Sequence, residues 1–233
     1  MEKEIQPVGR IHTGLLPCLP HVLLKLLTQE EAQPGADWLQ GIDNDPGLTV
    51  RIISAWRAHF AHSNEACANL AQAMTALGTE RVRAIVHHAA IQQVFTPFNS
   101  QPATDLKKHW WRAILCAQLA ELLAQQTAYP HPKEARLGGI LCALDPLAQW
   151  VAGFKQIGAQ ATGQVQGTGT QGAMQARIAA SLAMEWRLHP FLSDALRYYP
   201  EAQDRLADTH ALVRLLHLAN RLANCLAGTE PLP

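Results

Sequence analysis

Apolar residues recur at helical spacing in nearly every segment of this chain, and no stretch alternates apolar and polar positions between turn signals as a half-buried strand would. Pro20 suits a first helical position and opens a short helix whose inner face is Leu23, Leu26 and Leu27. A second helix carries Trp38, Leu39 and Ile42. In Asp43-Asn-Asp-Pro-Gly-Leu-Thr-Val-Arg51, Asp45 is a natural N-cap and Pro46 a natural first residue, after which Leu48, Ile52, Ala55 and Trp56 share a face. Another stripe, Leu70, Ala73, Met74 and Leu77, stops at Gly78. Thr79 is then expected to cap a helix that turns Val82, Ile85, Val86 and Ala89 inward.

The segment FTPFNSQPATD, with two prolines and small polar residues, reads as a connection to a second group of helices. Residues 15–99 are therefore expected to form an N-terminal helical subdomain and residues 104–228 a bundle packed on it, together an all-α module. From Asp105 the chain is apolar almost all round, through Trp110, Trp111, Ile114, Leu119, Leu122 and Leu123, which predicts a central helix. The run GGILCALDPLAQW opens on Gly138 and Gly139 and is cut off by Asp145-Pro146, where a helix restarts through Leu147, Trp150, Val151 and Phe154. Residues 158–173 are uncharged and rich in Gly, Gln and Thr, the composition of a flexible loop. Helices resume with Ile178, Leu182 and Trp186, then Phe191 to Tyr199. The last one carries Leu212, Leu215, Leu216, Ala219, Leu222, Ala223 and Leu226 on one stripe.

Charge narrows the function. Lys+Arg and Asp+Glu number 19 each and the pI is near 7.2, so no basic excess drives nucleic-acid binding, which is not expected. A local patch of Arg81, Arg83, Lys107 and Lys108 is the one exception to weigh. Cys18, Cys67, Cys116, Cys142 and Cys225 are odd in number, widely spaced and mostly set in apolar helical patterns, which predicts reduced, mostly buried thiols. The start MEKEIQPVGR is too polar for a signal peptide, and AILCAQLAELLA is interrupted by Gln118 and Glu121, short of the roughly 20 residues a membrane span needs. A cytoplasmic protein is expected.

Few motifs carry chemistry. Gly167-Thr-Gly169-Thr-Gln-Gly172 spells a dinucleotide fingerprint, but the strand that must precede it and the parallel-sheet pattern around it are missing. His59 and His62 would share a face if helical, whereas His87 and His88 diverge by about 100° on a helix, and neither pair has further ligands at metal spacing. No G-x-S-x-G, H-E-x-x-H or P-loop pattern occurs.

Several segments, taken in order, carry a resemblance. They are Pro20-His-Val-Leu-Leu-Lys-Leu-Leu27, Ile42-Asp-Asn-Asp-Pro-Gly-Leu-Thr-Val-Arg51, Ala73 to Gly78 followed by Arg81-Val-Arg83, Trp110-Trp-Arg-Ala-Ile114, Gly138-Gly-Ile-Leu-Cys-Ala143, Ile178-Ala-Ala-Ser-Leu-Ala183 and Val213 to Ala223. They resemble the HDOD family, helical modules of bacterial signal-transduction proteins, over nearly the whole chain from Leu15 to Gly228. The resemblance implies a second half like the HD-type metal phosphohydrolase bundle, in which one His, a His-Asp pair and a late Asp hold metal. Those positions fall here on Ala113, Cys142, Ala143 and Asn220. The lysine that often follows the pair falls at Pro146, a frequent histidine at Gln175, and paired histidines near a helix end at Tyr198-Tyr199.

Ala113 and Ala143 offer no donor atom, and an Asn220 amide replaces a carboxylate poorly on a divalent ion, which leaves Cys142 alone as a ligand. Without that ion nothing here polarises a phosphate or activates water. No cofactor is therefore expected and the chain is not expected to be an enzyme. It is instead expected to act in trans on other signalling proteins, through a surface such as the groove between its halves, with a second copy of the chain admitted as a partner as well. Two states of the old site stay open. One is a closed core in which Asn220 finds hydrogen-bond partners. The other is a cleft, with Arg214, His217 and Arg221 nearby, that receives a nucleotide or cyclic dinucleotide. Residual hydrolysis would need a metal relocated to His59, His62, His87 or His109.

Overall fold

Prolines mark helix starts: Pro46, Pro132 and Pro190 each sit in the first turn of a helix, where a missing N–H costs nothing. The computed structural model describes residues 16–28, 36–62, 65–95, 103–142, 144, 147 and 179–227. Along them run α1 (Pro20–Thr28), α2 (Ala36–Asp43), α3 (Pro46–His59), α4 (Leu70–Leu77), α5 (Thr79–Phe95), α6 (Ala103–Gln126) and α7 (Pro132–Leu141). A helical stretch at 179–185, α8 (Pro190–Tyr198), a 3-10 turn (Gln203–Arg205) and α9 (Ala211–Leu226) follow. The described residues contain no strand, only one isolated bridge between Cys67 and Leu188. The fold is all-α.

Helices α1 to α5 pack chiefly on one another, as do α6 to α9, and α3 touches both α6 and α7. Two further ties join the groups. In the bridge, Cys67 N donates to Arg187 O and His189 N donates to Cys67 O, both at 3.3 Å. Beside it, Arg57 Nε donates to Glu185 O at 3.1 Å.

The Asp45-Pro46-Gly47 corner is built to hold the chain that precedes α1. Asp45 caps α3 by accepting from Leu48 N at 2.9 Å and, with its other oxygen, from Leu19 N at 2.6 Å. Burial pushes this carboxyl up to about 6, although the Leu48 and Leu19 N–H groups partly offset the shift. Gly47 has to be glycine, because a Cβ there would lie 2.5 Å from Pro17 O. Arg51 donates to Leu16 O and Gly47 O, Gln93 pairs with both backbone polar groups of Cys18, and Trp110 Nε1 donates to Pro17 O. Four side chains thus substitute for the secondary structure that residues 16–19 lack.

Several sequence expectations need adjustment. Thr79 lies inside α5, and Gly78, at φ 77°, both ends α4 and starts α5, its carbonyl accepting from Val82 N. Trp111 and Leu122 are 59% and 50% exposed rather than central. The buried stripe of α6 is Leu106, Trp110, Ala113, Ala117, Ala120 and Ala124, mostly small residues, because α7 approaches too closely for large ones. Leu226 is exposed at the end of α9. Cys18, Cys67, Cys116 and Cys142 are buried and Cys225 is half-buried, all as free thiols. Among the described residues no helix is long and apolar enough to cross a membrane. The predicted loop at 158–173, and Ala143, Pro146, Trp150, Val151, Phe154 and Gln175, lie outside the described residues.

Candidate functional site

The two glycines that open the Gly138 segment face different neighbours. A Cβ on Gly138 would lie 2.7 Å from Leu216 Cδ1 of α9 and 2.8 Å from Leu192 Cδ1 of α8. On Gly139 it would lie 2.6 Å from Ala117 Cα and 2.7 Å from Cys116 O of α6. These contacts fix the register of three helices. One turn on from each lie Cys142 at the end of α7, Ala113 on α6 and Asn220 on α9, so three of the four positions at which the resemblance places metal ligands occupy one level of the bundle. The fourth, Ala143, is outside the described residues.

At that level Ala113 and Cys142 are buried and Asn220 is half-buried. The Asn220 side-chain oxygen accepts a hydrogen bond from Arg112 Nη2, while Arg112 Nε donates to the Asn224 side-chain oxygen. A guanidinium from α6 thus grips two amides one turn apart on α9. Beyond it, the Tyr199 hydroxyl lies 3.5 Å from Cys142 O, and the Tyr199 carbonyl lies 2.9 Å from His217 Nδ1. The opposite ring nitrogen, His217 Nε2, is buried without a partner. Arg214 and Arg221, neighbours of His217 in sequence, turn instead to Ala207 O and the Gln203 side chain.

This arrangement is a poor metal site. Ala113 has no donor, the Asn220 oxygen already faces a cation, and among the described residues no three His, Cys, Asp or Glu side chains are grouped to hold an ion. Nor do the other histidines regroup as one. His59 Nε2 accepts from Arg81 Nη1 at 2.9 Å, and His62 lies past the end of α3, so the two do not share a helical face. His87 lines a groove of about 420 Å³ with Glu80, Arg83 and Ala84. A second groove of about 390 Å³ runs between α3 and α5, from Arg51 and Ser54 to His88 and Gln92. Both lie on the N-terminal group of helices, away from the seam between the halves that the sequence suggested.

A second arginine centre spans that seam. Arg136 of α7 bonds the Asp43 carboxylate, donates to the Asn44 side-chain oxygen at 2.7 Å and meets Glu121 Oε2 at 3.1 Å. Lys133 Nζ closes on the other Glu121 oxygen at 2.6 Å. Burial raises the Asp43 carboxyl, and Arg136 only partly reverses this. For Glu121, burial also pushes upward, but Lys133 and Arg136 together outweigh it and hold the group below its ordinary value. Neither Arg112 nor Arg136 stands out in the sequence reading. The available signal for the first was the Asn220 and Asn224 pair, two amides four apart beside the apolar stripe of α9.

At the far end of the bundle, His131, His189 and His210 precede α7, α8 and α9. The carboxylate of Glu134, 3% exposed, lies 3.1 Å from His189 Nδ1, in ion-pair range though off the hydrogen-bond line. It also receives the Tyr129 hydroxyl at 3.5 Å. Burial and the neighbouring Glu134 charge push that phenol up to about 12. The His210 ring stacks on Phe191 at 4.1 Å, and its Nδ1 accepts from Leu212 N to cap α9.

The HDOD domain pattern matches residues 16–202 of the chain. Among solved structures, the chain is similar to the MmoQ response regulator from Methylococcus capsulatus str. Bath. Identity is 21%, with 93% of this chain and 89% of that one covered and a TM-score of 0.69. A structure of fragment 20-298 of the same regulator gives 20% identity, 97% and 93% coverage and a TM-score of 0.68. No curated protein sequence matches.

Proposed function

The chain belongs to the HDOD family, and from that premise we propose that it is a non-catalytic signalling module of a bacterial regulatory pathway, working in the cytoplasm through contacts with other proteins. The observation that carries this reading is the bond from Arg112 to Asn220. A divalent ion at that level would have to share its amide ligand with a guanidinium, in like-charge repulsion at contact distance. Ala113 supplies no donor and Cys142 a single soft one, so neither offsets the repulsion. That the same fold occurs in a response regulator supports placing the chain among signalling proteins.

The test is metal content and hydrolysis. The purified chain is incubated with Mn²⁺ or Zn²⁺, dialysed, analysed for bound metal and assayed on chromogenic phosphomonoesters and phosphodiesters. The expected result is substoichiometric metal and no hydrolysis above buffer. Stoichiometric Mn²⁺ with hydrolysis that EDTA abolishes would overturn the reading.

A further inference from the structure

We propose that the trough between α3 and α5 is a docking surface for an acidic amphipathic helix of a partner protein. The proposal rests on reading the chain as a module that works by protein contact, and it deepens that reading by placing the contact. The trough has a volume of about 390 Å³ and runs between the two helices from Arg51 and Ser54 to His88 and Gln92. Its floor is Ala55, Ala58, Ala84 and Ile85, and Ala58 and Ala84 are exposed. Side chains this small let a third helix come close enough to set its own large residues into the trough. Ala84, His88 and Ile91 share a stripe of α5 at i, i+4 and i+7, and Ile91 is 58% exposed, so apolar surface continues beyond the trough.

Charge selects the occupant. Within α3 and α5, Arg51, Arg57, Arg81 and Arg83 stand against a single acid, Glu80, although the chain as a whole is balanced. Helix α4, packed against both, carries no charged residue. Glu80 meets Arg83 at 3.9 Å, and the two line the adjoining groove of about 420 Å³, which meets the trough at Ala84. An apolar floor inside a basic surround is complementary to a helix whose apolar face is flanked by Glu or Asp. A second copy of the chain fits poorly, because a two-fold contact would set these arginines against themselves. A nucleic-acid backbone would satisfy the arginines but would lay charged phosphates over the alanine and isoleucine floor.

The experiment uses two fluorescent helical peptides of about 15 residues, each with Leu at i, i+3, i+4 and i+7. One carries Glu beside that face and the other carries Lys. Binding to the full chain is read by anisotropy at about 50 and 300 mM salt, beside a DNA duplex of similar length. The Glu peptide should bind at least about tenfold more tightly than the Lys peptide and weaken several-fold at the higher salt. Ala84→Glu, placed where the two grooves meet, should weaken the Glu peptide at least about tenfold and leave the Lys peptide no weaker. Ala58→Glu, on the α3 wall, should do the same and serves if Ala84→Glu loses helicity by circular dichroism. Bound metal and hydrolysis are measured apart from these titrations, so the non-catalytic reading can stand where the docking surface fails. Wild-type protein that ignores the Glu peptide, equal binding of the two peptides, or unchanged affinity in the folded variants would each overturn the proposal. Tighter binding of the duplex than of the Glu peptide would overturn it in favour of nucleic acid. A dimer in analytical ultracentrifugation that Ala84→Glu dissociates would overturn it in favour of a second copy.

Discussion

Arg136 and Arg112 both reach from one helix of the second group to another element, yet they sit in opposite electrostatic company. Arg136 meets two carboxylates, Asp43 and Glu121, and the Asn44 amide, with its side chain only 10% exposed. Arg112 meets two amides and no acid among the described residues. Arg136 is thus a finished structural joint between the α2–α3 corner and α6–α7. Arg112 has its direction fixed by neighbours that leave its charge in place. Desolvation makes that difference consequential: a neutralised buried arginine holds helices together at full strength, whereas one held by amides keeps an uncompensated charge that offsets part of what its hydrogen bonds contribute.

The contrast is broken most severely at Arg136. Arg136→Ala leaves Asp43 buried without its cation and should cost about 3–5 kcal/mol in urea denaturation, the range for removing one partner of a buried pair. Glu121 should suffer less, because Lys133 stays on its other oxygen. A loss under about 1 kcal/mol would show the joint to be a surface contact.

Asp45 supplies an intermediate case, a buried carboxylate satisfied by backbone N–H groups rather than by an arginine contact. Asp45→Asn keeps an oxygen for Leu48 N but sets an amide against Leu19 N, with an expected cost of about 1–2 kcal/mol at pH 7. The pH dependence gives a second readout. With a folded-state value of about 6, above the ordinary carboxylate range, Asp45 binds its proton more tightly when folded. Its contribution to stability is therefore fully present at low pH and is lost as pH rises through about 6. Acidification from pH 7 to 5 should stabilise the wild type relative to Asp45→Asn, as read from paired melting curves; parallel curves would remove Asp45 from the account.

The smallest effect is expected at Arg112. Arg112→Met removes two hydrogen bonds but also an uncompensated half-buried charge, so the net change should stay within about 1 kcal/mol. A loss as large as that of Arg136→Ala would erase the distinction between the two centres.

Much of the architecture was legible beforehand because helical period, proline starts and the Asp45 cap are local signals. In the Asp43-Asn44-Asp45 run a structural role was legible for Asp45 alone, as a helix cap, since nothing local reveals that Asp43 and Asn44 serve an arginine more than ninety residues away. In α6 the same reasoning chose the large apolar residues for the core. It missed the alanine stripe, because hydrophobic period does not report how near the next helix comes. Ala113, Cys142 and Asn220 lie on one level of the bundle, and Arg112, which bonds Asn220 there, is adjacent to Ala113 and was hidden in the sequence by its apolar neighbours.

The glycine pair of α7 has a consequence for how this fold can drift. Gly138 is committed to α8 and α9, and Gly139 to the backbone of α6. Enlargement of Gly138 could be absorbed by trimming Leu216 or Leu192, so change there can proceed by compensated double substitution. Enlargement of Gly139 meets main-chain atoms, which no substitution on α6 can trim. Two adjacent, chemically identical positions should therefore show opposite covariation: Gly138 coupled to its leucines, Gly139 coupled to nothing and simply invariant.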